Sequence, residues 1–233
     1  MKTLIIVSHP ELDESGSQQY LLSSIPKEAP VTVHPLEKTY PDGQIDVQKE
    51  QELLREHDRI LFQFPFYWYS TPPLLKKWQD EVLTDLFAFG GAFSLPQLTG
   101  KEFSLVMVIG AKEEEYQAGG AEGFSLSALT TPFQALARKT GMQYKRPLFI
   151  HQFAYLSEKE KMQLLVRYQQ HVTMEKAPSL AAREEWIQKR LEETDRTTLG
   201  ESGELAVDHA LELMESNRMI LDELQLMLDE LNG

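Results

Sequence analysis

The chain has 233 residues, 42% of them hydrophobic, and sets 23 Lys and Arg against 36 Asp and Glu for a net charge of −13. That is enough apolar material for a sizeable core and speaks against disorder, while the negative charge argues against nonspecific nucleic-acid binding and against an anionic membrane surface. Cysteine is absent, which excludes disulfides and thiolate metal sites and suits a reducing cytoplasm.

The first apolar run, Thr3–Val7, stops at Ser8-His9-Pro10. It is too short for a signal-peptide core or a bilayer span and reads as a first buried strand. Ser15–Ile25 follows as a helix with Ser15 as N-cap, then Val31–Leu36 as a strand and Val47–Arg55 as a helix. Ile60–Phe64 is the third strand, and Pro72–Leu83 the third helix, with its prolines in the first turn where a missing N–H matters least. Phe103–Ile109 is the fourth strand, Leu126–Lys139 a helix closed by Gly141, and Gln143–His151 the fifth strand. Ser157–Thr173 opens with the capping-box pattern Ser157-Glu158-Lys159-Glu160.

Strands alternating with helices predict an α/β fold, a doubly wound parallel sheet covered on both faces. The five-stranded flavodoxin-like order 2-1-3-4-5 is the economical topology, with a ligand at the carboxyl ends of the strands. Residues 1–174 read as this domain and 175–233 as an acidic helical extension. Its helices Leu180–Glu193 and Glu204–Leu231 are joined by Thr197–Gly203. Leu205, Leu211, Met214, Leu221, Leu224 and Leu228 form an apolar stripe among 15 acidic and 6 basic residues. The stripe is suited to packing on its own domain, a second subunit or another protein.

Three loops at strand ends carry candidate chemistry. After the first strand, His9, Ser15, Ser17 and Gln18 surround a helix N-terminus, which favours a phosphate; the alternative is an ordinary capped helix. After the third, Pro65, Phe66, Tyr67, Trp68 and Tyr69 suggest a planar ring ligand; the alternative is a dimer contact or core closure. After the fourth, Gly110 and Ala111 permit close backbone approach, and Tyr116 offers a hydroxyl; the alternative is a solvated charged loop. No pattern of metal-ligand spacing and no G-x-S-x-G occurs, so a metal site and an α/β-hydrolase are disfavoured. A phosphate joined to an aromatic ring matches flavin mononucleotide.

The chain resembles the flavodoxin-like NAD(P)H:quinone oxidoreductase family, including bacterial general stress proteins and the ancillary flavoproteins of glutathione-gated potassium efflux. The resemblance rests on Ser8-His9-Pro10 with Ser15, Tyr40-Pro41-Asp42, Gln63-Phe64-Pro65, Trp68-Tyr69-Ser70, Pro72 to Trp78, Leu98 to Lys101, Pro132-Phe133 and Gly141-Met142. It implies noncovalent FMN, with FAD as the alternative, and NADPH or NADH as co-substrate. It also implies a homodimer and two-electron reduction of quinones, or instead a regulatory flavin-binding subunit of a membrane transporter. Carried over by position, His9, Ser15, Ser17 and Gln18 serve the phosphate. Pro65 to Tyr69 serve the isoalloxazine, Gly110 and Ala111 approach its polar edge, and Tyr116 is the catalytic hydroxyl. The histidine that follows this tyrosine in several members stands here as Ala121 or Glu122, which leaves a Tyr–His relay incomplete.

Overall fold

The computed structural model describes residues 1–90, 96–176 and 179–232, with backbone alone at 198 and 232. Contacts divide the chain into two compact units, Met1–Thr173 and Met174–Gly233.

The first unit runs β1 (Thr3–Val7), α1 (Gly16–Ser23), β2 (Val31–Pro35), α2 (Leu36–Thr39), α3 (Val47–Glu56) and β3 (Arg59–Pro65). It continues with α4 (Pro73–Val82), α5 (Asp85–Ala88), β4 (Glu102–Ile109), α6 (Leu126–Leu129), α7 (Thr131–Thr140), β5 (Gln143–Tyr144), β6 (Leu148–His151) and α8 (Glu158–Thr173). All pairings are parallel, in the order β2-β1-β3-β4, with both β5 and β6 on β4. The expected order is therefore present, with the fifth strand in two pieces. Pro147 lies at the break and has no N–H to give to a ladder. The Ser104 hydroxyl donates to the Lys145 and Arg146 carbonyls, which the sheet leaves unpaired.

The residues of the central strands β1 and β3 are buried on both faces, as a sheet covered on two sides requires. Leu4 and Ile6 of β1 join one core cluster, with Leu54, Trp78 and Phe133 from α3, α4 and α7. Ile5 and Val7 join the other, with Leu21 of α1 and Leu164 and Tyr168 of α8. The period of two in β1 thus feeds both layers.

Local chemistry sets the helix ends. Ser15 caps α1 by accepting from Gln18 N, at a long 3.4 Å. Ser157 and Glu160 form the expected capping box, with Ser157 N donating to Glu160 Oε2 (2.8 Å) and Glu160 N to Ser157 Oγ (3.3 Å). Gly141 closes α7 at φ 75°, where a Cβ would meet Thr99 Oγ1 at 2.9 Å. The helix expected over 126–139 is broken at Thr130, and Pro132 starts a new first turn.

In the second unit, α9 (Leu180–Glu192) leads through a short turn into α10 (Gly200–Asn232). Gly200–Gly203, expected as linker, is already helical. Among the described residues no helix is long and apolar enough to cross a membrane.

Candidate functional site

The parallel register brings the strand ends to one rim. Val7 lies opposite Pro35 and Gln63, Pro65 opposite Val108, and Ile109 opposite His151. The order reverses between β1 and β3, so the loops leaving those strands flank the switch point, where open α/β sheets leave a crevice.

The first loop is held from the side by α2. Glu37 accepts from Ser8 Oγ (2.6 Å) and His9 N (3.0 Å). His9 Nδ1 accepts from Glu11 N at 3.0 Å, so its ring proton sits on Nε2, a free-standing donor type. Burial lowers the His9 pKa despite the nearby Glu37 and Glu11 carboxylates, which favours the neutral imidazole. The Ser15 and Ser17 hydroxyls lie 3.4 Å apart at the start of α1. Gln18 is placed differently from the other three. Its side chain is fully buried, with Oε1 accepting from Gln63 Nε2 at 2.6 Å, and Gln63 Oε1 accepts from the Tyr168 hydroxyl at 2.8 Å. Gln18 Nε2 has no hydrogen-bond partner among the described residues.

The aromatic loop is a tight two-residue hairpin. Tyr67 and Ser70 exchange backbone bonds, N to O at 3.2 Å and 2.9 Å. Trp68 (φ 46°) and Tyr69 (φ 61°), its central residues, both have positive φ. That geometry normally selects Asn and Gly. Two bulky rings there cost on the order of 1–3 kcal/mol each, strain of the kind that collects at ligand clamps. The turn thrusts Trp68 into solvent, 92% exposed, with Tyr67 and Tyr69 about half exposed. Phe66, Tyr67, Trp68, Ser70, Thr71 and Pro73 line an open groove of about 590 Å³. The Thr71 hydroxyl is buried there without a partner among the described residues.

The loop after β4 is joined to the aromatic loop. Tyr69 donates its hydroxyl to Glu122 Oε2 at 2.8 Å, which raises the Tyr69 pKa and ties the two loops together. Gly120 packs so closely that a Cβ would fall 2.3 Å from Glu115 O. A Cβ on Gly110, by contrast, would meet no described atom within 4 Å. Tyr116 is buried, and burial raises its pKa, helped by Glu122 and Tyr69.

Rings run in a chain across the rim. Phe66 lies 6.3 Å from Tyr69 and 6.2 Å from Tyr116, and Tyr116 lies 6.3 Å from His151, centroid to centroid. The sequence alone presents His151 only as the last residue of a strand. A histidine at the carboxyl end of a parallel strand is the signal that marks it. Its Nδ1 lies 3.0 Å from the Ala111 carbonyl. A carbonyl only accepts, so Nδ1 carries a proton. Tyr116 therefore has a histidine neighbour, supplied by β6 and not by position 121 or 122.

A phosphorylated planar ring fits these residues. The buried Thr71 hydroxyl lacks a partner among the described residues, none of their atoms lies within 4 Å of a Cβ built on Gly110, and a strained turn holds aromatic faces in solvent.

A family model described as having a flavodoxin-like fold, Flavodoxin_2, matches residues 1–172. An uncharacterized NAD(P)H oxidoreductase of Bacillus subtilis is 45% identical over 74% of this chain and 87% of its own. The glutathione-regulated potassium-efflux system ancillary protein KefG of Pectobacterium atrosepticum is 41% identical over 64% of this chain and 81% of its own. Among solved structures, an NADPH-quinone reductase from P. pentosaceus is 44% identical with TM-score 0.69, over 74% of this chain and 98% of that one. General stress protein 14 of Treponema denticola in complex with FMN is 35% identical with TM-score 0.65, over 74% and 95%. The sheet order, the rim and these matches together place the chain in the Flavodoxin_2 family of flavodoxin-like proteins.

Proposed function

We propose that the chain is a flavin-dependent NAD(P)H oxidoreductase that holds FMN on its carboxyl rim and delivers two electrons to a quinone or similar small acceptor. The observation that carries this is the strained, solvent-facing Trp68–Tyr69 turn beside the open space over Gly110. Support comes from relatives named as NAD(P)H oxidoreductase and NADPH-quinone reductase, and from the one solved with FMN.

When bound, FMN supplies the redox chemistry. The chain's own residues bind and orient. His9 Nε2–H and the Ser15 and Ser17 hydroxyls would hold the phosphate at the N-terminus of α1. Gln18 acts from beneath, bracing Gln63 under the first loop. Pro65, Phe66, Tyr67, Trp68 and Tyr69 would bound the ring, and Thr71 Oγ1 gains a partner. Gly110 and Ala111 would let the bound group approach the backbone. Tyr116 would offer its hydroxyl as a hydrogen-bond donor, with the His151 ring at its side.

Purified protein is expected to be yellow, to release FMN on denaturation, and to oxidise NADPH with a quinone. Gly110→Leu should fold and melt as the parent does, because a Cβ there would meet no described atom within 4 Å, yet lose at least tenfold in FMN affinity. Unchanged FMN affinity in that variant would remove Gly110 from the site, and colourless protein that stays inactive with added FMN would overturn the reading. Tyr116→Phe should keep its flavin and lose on the order of tenfold in kcat with little change in KM, the effect of one hydrogen bond to a charged group. The identity to KefG favours a second reading, a regulatory subunit of a transporter. Flavin bound without NADPH turnover would select it.

A further inference from the structure

The helix α10 spans 33 residues, Gly200–Asn232, about 50 Å at 1.5 Å per residue, whereas α9 has 13 residues and reaches about 20 Å. Where α9 lies alongside, Val207, Ala210, Leu211 and Met214 of α10 are partly covered. The same seven-residue pattern then runs on. Val207, Met214, Leu221 and Leu228 hold one core-type position, and Ala210, Asn217, Leu224 and Leu231 the other. Beside them, Ala206, Leu213, Ile220 and Met227 form a flank of the same period. This flank is bare along the helix: Leu213 is 49% exposed, Ile220 52% and Met227 57%. Leu221 and Leu224 are about half exposed as well.

We propose that this face of α10 is an interface between two copies of the chain, with the α10 of one seated on the α10 of the other. Three observations choose that occupant. The period is the heptad of helix-on-helix packing, so the partner is a helix of similar length, and a second α10 supplies the same period. The charges are segregated: from Asp208 onward every acid (Asp208, Glu212, Glu215, Asp222, Glu223, Asp229, Glu230) lies outside the two core positions, that flank and the flank on the other side, Leu211, Arg218 and Gln225. Two copies meet with no facing carboxylates, and no acids flank the seam to recruit a basic foreign helix. The length is also adequate. From Ala206 to Leu231 the strip is about 39 Å long on a helix about 10 Å wide. That projects on the order of 400 Å² per copy, about 800 Å² for the pair before interdigitation, the size of a weak interface that dissociates on dilution. A monomer seldom leaves so continuous an apolar strip in water.

The full chain and the triple variant Leu213→Glu/Ile220→Glu/Met227→Glu are compared by light scattering across a concentration series. The parent mass should be twice that of the variant, and the thermal midpoint of the first unit should match in both. In parallel, Ile220→Cys, which lies near the middle of the strip and is the only thiol in a cysteine-free chain, should be joined to a second copy by a short bis-maleimide. Equal masses with no cross-linked pair would overturn the proposal, as would a monomeric parent; in either case the strip is covered within the chain or by a different protein. If the triple variant loses helix by circular dichroism, the cross-link alone decides, with a pair supporting the interface and its absence refuting it.

Discussion

Replacing Glu50 by alanine is expected to destabilise the first unit by about 3–5 kcal/mol, the range for removing one member of a buried, hydrogen-bonded charge cluster. Glu50 on α3 is fully buried and gathers three elements. It accepts from the Tyr40 hydroxyl (2.6 Å) at the end of α2 and from Trp78 Nε1 (2.7 Å) on α4. His34 Nε2 of β2 lies 2.9 Å from Oε1, at ion-pair distance but off the line of a full hydrogen bond. Burial alone would raise the Glu50 pKa. The interactions with His34, Tyr40 and Trp78 outweigh it and hold the carboxyl below its ordinary value. Its contribution is therefore present above the ordinary carboxylate value of 4.5 and lost as pH falls below it. The effect should reach the candidate site. Between His34 and Tyr40 runs α2, whose Glu37 holds Ser8 and His9, so Glu50→Ala should also weaken FMN binding. Urea unfolding followed by tryptophan fluorescence measures the loss. A shift of the midpoint worth less than 1 kcal/mol, at constant m-value, would show that the cluster does not lock these elements.

The first unit should also lose roughly 3 kcal/mol between pH 6.5 and pH 4 through His171 alone. This figure is the histidine's displacement from 6.5 to about 4 at about 1.36 kcal/mol per pH unit. His171 Nε2 is sealed from solvent and has no hydrogen-bond partner among the described residues. Burial is the main reason its pKa falls, and the Arg59 guanidinium adds to it, with Glu102 opposing. Arg59 reaches this end of α8 directly, donating to the carbonyls of His171 (3.3 Å) and Val172 (3.0 Å). The sign follows from which state binds the proton. Above pH 6.5 both states are neutral and His171 contributes nothing. Below it the unfolded chain takes up a proton that the folded one refuses, so stability falls until the folded pKa is reached. His171→Leu should flatten the stability profile in this window and raise the urea midpoint at pH 5 above that of the parent. An unaltered slope between pH 6.5 and 4.5 in that variant would assign the proton uptake to another group.

Much of the fold was legible because it depends on neighbours in sequence. Thr3–Val7, the Ser15 cap, the Ser157–Glu160 capping box and the Gly141 terminator are local chemistry, and the structure has each of them. Alternating strands and helices were enough for the sheet order, since crossover rules leave few arrangements. The breaks at Thr130 and Pro147 were less legible, because a proline can start a helix, edge a strand or end either. The candidate site divides in the same way. Loops at strand ends announced the rim, and the aromatic run Phe66 to Tyr69 marked the loop whose Tyr67, Trp68 and Tyr69 rings the structure holds at the surface. Sequence gave no sign that Trp68 and Tyr69 would sit at positive φ, since that conformation runs against their own preference and is imposed by the hairpin around them. Nor did it show that Gln18 turns inward to Gln63.

What the sequence determined by itself was the class of fold, the loops that gather at one rim of the sheet and the residue types collected there, because these follow from periodicity and from chain order. Which side chains meet was decided by tertiary structure alone: Tyr116 with His151 from 35 residues further on, Glu37 with Ser8, and Glu50 with Tyr40 and Trp78. Such contacts are set by strand register and by helix placement across the sheet, and neither is written in any single segment of the chain.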